Sequence, residues 1–310
     1  MLSGNAKSLA AGIPAALLAL SAPAHATAYS INIGVAANFA VAVKDVISAF
    51  IDFNSGSGDT YSFTITSDST GNLKTCIQTP STATNFSTVC PNGHYDLFLS
   101  ADTATPAALA SQGLIVGGVT QAPFFYAVGS LDLYSQSTDI SAGLPTTFTV
   151  PFVIADPSKA PYGFAAMTVL NTAPWSLGLN TTAPYPQSTT GPASFVHTQP
   201  NIGATFFSVY NPLGSPTYAY GFVNKSAICQ LDNDGNESYP NPPGGFHHEY
   251  VFNDAAHPYG QIVQNGLPIE LGQSAALKTQ IMNFVAYLGG GGDQGGLAVV
   301  QQYCYGTTPP

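Results

Sequence analysis

The chain of 310 residues carries only six basic residues against sixteen acidic ones, all six are lysines, and the formal net charge at pH 7 is −10. Nucleic acids and anionic membrane surfaces bind basic protein surfaces, so this charge balance argues against both as partners. It does not exclude a small anion, because local dipoles set the affinity of such a ligand and the net charge acts only through a screened long-range field.

The first 26 residues have the pattern of a secretory signal peptide. Lys7 precedes an apolar stretch from 9 to 22, and Ala24-His25-Ala26 has the small-x-small spacing of a cleavage site. Cleavage there leaves 310 − 26 = 284 residues, enough for two modest domains, with a net charge of 5 − 16 = −11. We therefore expect an exported protein, periplasmic or secreted.

The scarcity of charge leads to a hypothesis about the environment of the protein. Acid unfolding largely follows from the protonation of paired carboxylates, and only 7% of the residues are charged. An acid-stable protein in an acidic external medium would have this composition, and so would an exported protein whose composition had drifted. Both alternatives stay open at the level of the sequence.

Four cysteines in an exported chain predict two disulfide bonds, for which three connectivities are possible. Cys76 and Cys90 enclose a short loop rich in serine and threonine. We predict the pairs Cys76 with Cys90 and Cys229 with Cys304. The C-x-x-C spacing of a zinc site is absent from the sequence, which argues against a metal bound by these cysteines.

Two apolar strand patterns run directly into helix starts rich in small and polar residues. The first covers 31–39, with Asn38 at the expected N-cap, and the second covers 61–73 and includes Thr70. A helix N-terminus has unsatisfied N–H groups and about half a positive charge. Two of them that converge from neighbouring strands form a site for a phosphate-like or sulfate-like group, and no basic side chain is needed.

Further strand and helix patterns alternate along the rest of the chain. A buried strand at 95–100 precedes a helix that ends near Gly113. An apolar stretch at 124–134 predicts one strand that crosses between lobes. Strands at 152–155 and 218–223 alternate with helical patterns. This alternation predicts an α/β fold with mixed, mostly parallel sheets and ligands at the carboxyl ends of the strands. We expect irregular structure at 171–200 and 229–260 and a turn at 289–292.

Seven motifs in chain order resemble the periplasmic molybdate-binding proteins of ABC importers, within the wider group of extracellular solute-binding proteins. They are Gly34-Val35-Ala36-Ala37-Asn38-Phe39, Ser69-Thr70-Gly71-Asn72-Leu73, Tyr95 to Asp102, Tyr126 to Leu131, Ala155-Asp156-Pro157 with Pro161-Tyr162-Gly163, Asn201-Ile202 and Gly221-Phe222-Val223. The resemblance implies a two-lobed type II periplasmic-binding-protein fold with a central cleft. Its expected domains are lobe one at 27–130 plus 258–310 and lobe two at 131–257.

The same resemblance implies the ligand and the residues that bind it. A tetrahedral oxyanion, molybdate-like or tungstate-like, would lie between the lobes and be delivered by a monomer to an ABC permease in the inner membrane, with no cofactor. By position in the motifs, its ligands would be the side chains of Asn38, Thr70 and Asn224 and the backbone N–H groups of Tyr162 and Ile202.

Other interpretations of particular residues remain open. Asn38 and Thr70 would serve as plain helix caps if no ligand binds, and His247, His248, Glu249 and His257 have the composition of a zinc or copper site but lie in a sequence typical of an exposed loop. A secreted hydrolase using aspartate and histidine is one alternative function, although no Gly-x-Ser-x-Gly motif or P-loop is present in the sequence. An extracellular structural or adhesive protein is another.

Overall fold

The computed structural model describes residues 26–114, 123–182, 184–240, 243–254, 258–292 and 295–309. The proposed signal peptide lies outside the described residues except for Ala26, and so does His257. Within the described ranges, no helix combines the length and the hydropathy needed to cross a membrane.

Twelve strands and eight α-helices are described, in addition to four short 3-10 turns. The strands are β1 (Ala28–Ala36), β2 (Thr60–Asp68), β3 (Leu97–Leu99), β4 (Phe124–Gly129), β5 (Leu131–Ser135), β6 (Phe152–Ala155), β7 (Val196–Gln199), β8 (Gly221–Asn224), β9 (Gln230–Leu231), β10 (Glu237–Ser238), β11 (Phe246–Tyr250) and β12 (Ile262–Pro268). The helices are α1 (Ala42–Phe53), α2 (Thr70–Gln78), α3 (Phe86–Val89), α4 (Ala104–Ser111), α5 (Pro161–Leu170), α6 (Ile202–Val209), α7 (Ala275–Leu288) and α8 (Gly296–Gln301).

The strands form two five-stranded sheets and a short hairpin of β9 and β10. The first sheet has the order β2-β1-β3-β12-β4 and the second has the order β11-β5-β8-β6-β7. Four of the described pairings in these sheets are parallel and four are antiparallel, so the sheets are mixed. Each sheet has its own apolar core, built from buried residues of its strands and of the helices and loops that pack on them.

The chain passes from the first sheet to the second at Ser130. The sequence predicted one crossing strand over 124–134, but the structure has two strands, β4 in the first sheet and β5 in the second. Both halves are apolar and buried, so hydrophobicity alone gives no sign of the break. The chain later returns from β11 in the second sheet to β12 in the first. These two crossings fit the proposed lobe boundaries, which we retain as a proposal.

Two sequence interpretations of local structure are wrong. Asn38 lies in a 3-10 turn (Ala37–Phe39) and does not cap a helix, since α1 begins at Ala42 with Val41 at its N-cap. The ranges 171–200 and 229–260 are not irregular throughout, because the first contains β7 and the second contains β9, β10 and β11. The strand β11 pairs along the edge of the second sheet with β5, and its neighbouring proline and glycine residues gave it the appearance of a loop.

Three residues of the cluster that resembles a metal site, His247, His248 and Glu249, lie on β11 beside other protein groups. Glu249 accepts from the Lys225 ammonium at 2.7 Å, His247 lies 3.5 Å from the Asp132 carboxylate, and His248 Nδ1 lies 2.9 Å from the Ser141 carbonyl oxygen. Alternate residues of a strand point to opposite faces of the sheet, so His247 and His248 do not converge. The geometry gives no support to a metal site formed by these residues.

Both disulfide bonds have the pairing expected from the sequence. Cys76 and Cys90 join the end of α2 to the segment after α3, with 5.1 Å between their Cα atoms. Cys229 and Cys304 join the segment after β8, which belongs to the second sheet, to the chain just after α8, which packs on the first. The second bond therefore links the two halves of the molecule.

Buried Asp132 provides a test of acid stability. Burial raises the pKa of its carboxyl group, and nearby His247 opposes this effect only in part. A carboxyl group with a raised pKa in the folded state stabilises the fold below its unfolded pKa, and this contribution is lost as pH rises through the folded pKa. We expect wild-type protein to gain thermal stability over Asp132→Asn as the pH is lowered from neutral to about 4, the ordinary carboxyl pKa.

Glu270 supplies the matched control of opposite sign. The ammonium of Lys278, 2.7 Å away, holds the pKa of Glu270 below its usual value, so its contribution to stability should fade as pH falls. Melting curves of wild type, Asp132→Asn and Glu270→Gln across this pH range measure both. If the difference in Tm between wild type and Asp132→Asn stays constant with pH, Asp132 has no role in acid stability.

Candidate functional site

Three helix N-termini meet at one small cavity between the two sheets. The cavity is lined by Thr70 of α2, Tyr162 of α5 and Ile202 of α6, together with Asn38 and the alanines 36, 37, 101 and 160. Thr70 and Ile202 are the first residues of their helices, and Tyr162 follows Pro161 at the start of α5. First-turn N–H groups have no acceptor within their own helix, so these three are positioned to donate to a ligand.

Local sequence explains why the helices begin where they do. Ser69 caps α2 by accepting from Asn72 N at 3.3 Å, and Asn201 caps α6 by accepting from Ala204 N at 2.9 Å. Pro161 at the first turn of α5 fixes a helical φ and has no N–H to satisfy. The caps Ser69 and Asn201, the proline at 161 and the residues that follow each of them all line the cavity.

Four of the five residues expected at the site line this cavity, namely Asn38, Thr70, Tyr162 and Ile202. Each of them is at most 5% exposed. Asn224 does not line it. Its Nδ2 instead donates to the backbone oxygen of Asn38 at 3.3 Å and to Ser226 Oγ at 2.7 Å. Asn224 thus supports the turn that carries Asn38.

The hydroxyl of Thr70 is oriented by its neighbours. Its Oγ1 accepts from the backbone N–H of Ala101 at 3.1 Å and lies 3.5 Å from Ser100 Oγ. A hydroxyl that accepts from a backbone amide keeps its own proton for another acceptor. Thr70 therefore offers both its backbone N–H and its O–H at the cavity wall.

Hydrogen bonds across the cleft hold the two halves together around the cavity. Gly71 N donates to Lys159 O at 2.9 Å, Asn201 Nδ2 donates to Asp68 Oδ1 at 3.1 Å, and Gln264 Nε2 donates to the Tyr162 hydroxyl at 3.3 Å. In each pair one residue belongs to the first sheet or its helix α2, and the other lies in or just before α5 or α6, which pack on the second sheet. The structure is that of a closed cleft.

The Asp68–Asn201 pair organises both sides of the cleft. The Asp68 carboxylate accepts from Ser69 N at 2.7 Å and from Asn72 Nδ2 at 3.0 Å, in addition to Asn201. Asn201 uses its amide nitrogen for Asp68 and its amide oxygen to cap α6. One carboxylate thereby fixes the N-terminus of α2 and, through Asn201, the N-terminus of α6.

A larger cavity of about 640 Å³ forms the mouth of the cleft. It shares Thr70, Ala101, Ala160 and Pro161 with the small cavity, and its charged lining residues are Lys74, Lys159 and Asp102. Neither lysine forms a salt bridge within the described part of the chain. Among the residues that line the small cavity, by contrast, none is charged. Two lysines and one aspartate lie at the entrance, and neutral donors lie inside.

Sequence reasoning missed Gln264 and Tyr305, which contact Asn38 from the far end of the chain. Gln264 Oε1 accepts from Asn38 Nδ2 at 2.8 Å, and the Tyr305 hydroxyl donates to the Asn38 backbone oxygen at 2.7 Å. These contacts span 226 and 267 positions, so no local pattern reveals them. Burial raises the pKa of the Tyr305 hydroxyl, which keeps it a donor.

No protein-family model matches the chain. Curated molybdate-binding proteins named ModA match it in sequence: that of Azotobacter vinelandii is 35% identical over 168 residues, and that of Rhodobacter capsulatus is 29% identical over 167 residues. The matched segments cover 52% and 53% of this chain, and the chain spans 56% and 58% of the length of these relatives.

A solved structure extends the likeness over most of the fold. The Azotobacter vinelandii periplasmic molybdate-binding protein superposes with a TM-score of 0.64 at 21% identity, over 90% of this chain and 100% of that one. The chain therefore has the two-lobed α/β fold of the type II periplasmic binding proteins. The resemblance inferred from the seven motifs is confirmed in sequence and in fold.

Proposed function

We propose that this chain is an exported solute-binding protein that captures a tetrahedral oxyanion, molybdate-like or tungstate-like, for an ABC importer. The convergence of the N-termini of α2, α5 and α6 on one buried, charge-free cavity supports this proposal most directly. Its similarity to proteins named as molybdate-binding supports the choice of ligand. Those relatives are named as binding proteins, which supports a non-enzymatic role.

The physical case depends on the cost of burying a dianion. An ion removed from water costs many kcal/mol unless hydrogen bonds replace its hydration. Three helix N-termini supply backbone N–H groups and partial positive charge at the cavity, and Thr70 adds a hydroxyl. Hydrogen bonds to charged groups contribute about 1.5–3 kcal/mol each. Such a donor set is suited to an oxyanion in a chain without arginine.

The closed cleft suggests how capture and release would operate. The cross-cleft bonds at Gly71, Asn201 and Gln264 link lobes connected by two crossings, and hinge closure around a ligand is a common motion in such folds. Lys74 and Lys159 at the mouth would attract an anion towards the neutral donors. We propose that the protein acts as a periplasmic or secreted monomer and hands its ligand to a permease in the inner membrane.

Thr70 variants test the binding site. Thr70→Val keeps the shape of the side chain and removes the hydroxyl, so we expect molybdate affinity to fall by about 1.5–3 kcal/mol, or roughly 10-fold to 150-fold. Thr70→Ser keeps the hydroxyl and should stay within about threefold of wild type by the same reasoning. Isothermal titration calorimetry measures both. Equal affinities for the two variants would place the ligand away from Thr70.

A further inference from the structure

Asn38 lines the small cavity with an unusual hydrogen-bond deficit. Its side chain is buried, and its Nδ2 donates to Gln264 Oε1 at 2.8 Å and to the Tyr305 hydroxyl at 3.0 Å. Its Oδ1 is buried without a hydrogen-bond partner among the described residues. An unsatisfied buried acceptor costs about 1–3 kcal/mol, so this arrangement is unfavourable unless the site compensates for it.

Gln264 lies at the centre of the buried network behind Asn38 and has a conflict of its own. It is fully buried, with Oε1 3.0 Å from the Tyr126 hydroxyl and Nε2 3.3 Å from the Tyr162 hydroxyl. The Tyr126 hydroxyl also lies 2.9 Å from the carbonyl oxygen of Ser100, which can only accept. A tyrosine has one proton to donate, so Ser100 and Gln264 compete for it.

If the two amides turn over together, the conflict at Gln264 disappears, and the unpartnered atom of Asn38 becomes a donor in place of an acceptor. A side-chain amide has its oxygen and nitrogen in nearly equivalent positions, so a half-turn exchanges donor and acceptor without moving the backbone. Gln264 Nε2 would then donate to the Tyr126 oxygen and to Asn38 Oδ1. Tyr126 would donate to Ser100, and Tyr162 would donate to Gln264 Oε1. Burial raises the pKa values of Tyr126 and Tyr162 well above their ordinary value, so both hydroxyls retain these protons.

We propose that Gln264 is a positioning residue that turns the amide of Asn38 so that its Nδ2 faces a fully deprotonated oxyanion in the small cavity. This inference rests on the proposed function. In the turned arrangement Asn38 Nδ2 takes the place of the unpartnered Oδ1, and a bound oxyanion supplies the acceptor that it needs. Asn38 Oδ1 then accepts from Gln264 Nε2, and the Tyr305 hydroxyl shares its one proton between this oxygen and the backbone oxygen of Asn38, which also accepts from Asn224 Nδ2. In the unturned arrangement the cavity presents an acceptor, which would suit only a ligand that carries a proton. Gln264 thereby selects the dianion, although it does not line the cavity.

A double-mutant cycle tests the relay. A carboxylate at position 264 can only accept, so Gln264→Glu should hold Asn38 Nδ2 away from the ligand and leave its oxygen facing the dianion. The serine of Asn38→Ser has a hydroxyl that can donate whatever stands at position 264. We expect Gln264→Glu to weaken molybdate binding at pH 7 at least 100-fold in the wild-type background. In the Asn38→Ser background the loss should be at least tenfold smaller.

The controls separate the relay from simpler effects. Gln280→Glu adds the same charge at α7, where Gln280 accepts from the Tyr61 hydroxyl far from the cavity, and should leave affinity within twofold. Melting without ligand shows whether each variant folds. If Gln264→Glu does not fold, Gln264→Met replaces it. We then expect molybdate affinity to fall at least tenfold in the wild-type background and less than threefold in the Asn38→Ser background.

Equal losses in the two backgrounds would mean plain repulsion by the new carboxylate or a general structural effect, and would overturn the relay. An unchanged affinity in Gln264→Glu would overturn it as well. Wild-type protein is titrated first with molybdate, tungstate, sulfate and phosphate. If it binds none of them, the proposed function fails before the relay is examined, and the two failures are thereby distinguished.

Discussion

Asn201→Asp should weaken oxyanion binding at least 100-fold while the protein stays folded. Aspartate caps a helix as well as asparagine does, so α6 keeps its bond from Ala204 N. In the wild type, Asn201 Nδ2 donates to Asp68 Oδ1 at 3.1 Å, and in the variant a second carboxylate would take the place of this donor and face Asp68. Repulsion between the two carboxylates would open the cleft, and the added negative charge beside the cavity would oppose the anion directly.

Two further variants separate these causes. The exchange Asp68→Asn with Asn201→Asp restores a donor and an acceptor across the cleft, and we expect it to recover at least tenfold of the lost affinity. Asn201→Ser keeps a cap and adds no charge, so a loss of about tenfold is expected, the value of one hydrogen bond to a charged group. Calorimetry and ligand-free melting measure all three. If the exchange recovers nothing, repulsion across the cleft is not the cause.

Removal of the disulfide between Cys229 and Cys304 should produce the largest loss of stability. The two cysteines are 75 positions apart, and closing a loop of that length in the unfolded chain corresponds to about 4.5 kcal/mol in the chain-entropy treatment. For a protein of this size that corresponds to a fall in Tm of roughly 10 °C. The matched control is the pair Cys76→Ala with Cys90→Ala, whose separation of 14 predicts about 3 kcal/mol.

The same disulfide should also influence opening of the cleft. It joins the segment after β8 to Cys304, which directly precedes Tyr305. The hydroxyl of Tyr305 in turn donates to the backbone oxygen of Asn38. We expect its removal to speed ligand dissociation, whereas removal of Cys76–Cys90 should leave dissociation within twofold. Stopped-flow displacement of bound molybdate measures the rate. Equal dissociation rates in the two double variants would confine the role of Cys229–Cys304 to global stability.

Features determined by neighbouring residues were predictable from the sequence. The strand-to-helix junctions at Thr70 and Tyr162 follow from strand patterns succeeded by Ser69 and Pro161, which are local signals of a helix start, whereas the junction at Ile202 came only from the family resemblance. The glycine-rich turn at 289–292 likewise lies between α7 and α8 as expected. Such signals are local because capping and φ restriction act within a few residues.

Features determined by distant contacts were not predictable. Asn38 looked like a helix cap, but its amide is bound by Gln264 and Tyr305, and its turn is a 3-10 turn ahead of α1. Asn224 was assigned to the pocket wall, yet it bonds the backbone oxygen of Asn38. The strand β11 was hidden by its glycine-rich surroundings, and only its pairing with β5 makes it a strand. A hydrophobic pattern along the chain does not indicate which distant residue will be a hydrogen-bond or strand-pairing partner.

The central claim, that neutral donors at the cavity bind a tetrahedral oxyanion, is tested most directly by isothermal titration calorimetry of molybdate into purified wild-type protein near neutral pH. We predict one molybdate bound per chain with a Kd of about 1 μM or tighter, a free energy of at least about −8 kcal/mol. Absence of binding heat and of any thermal stabilisation with molybdate, tungstate, sulfate and phosphate would contradict the account.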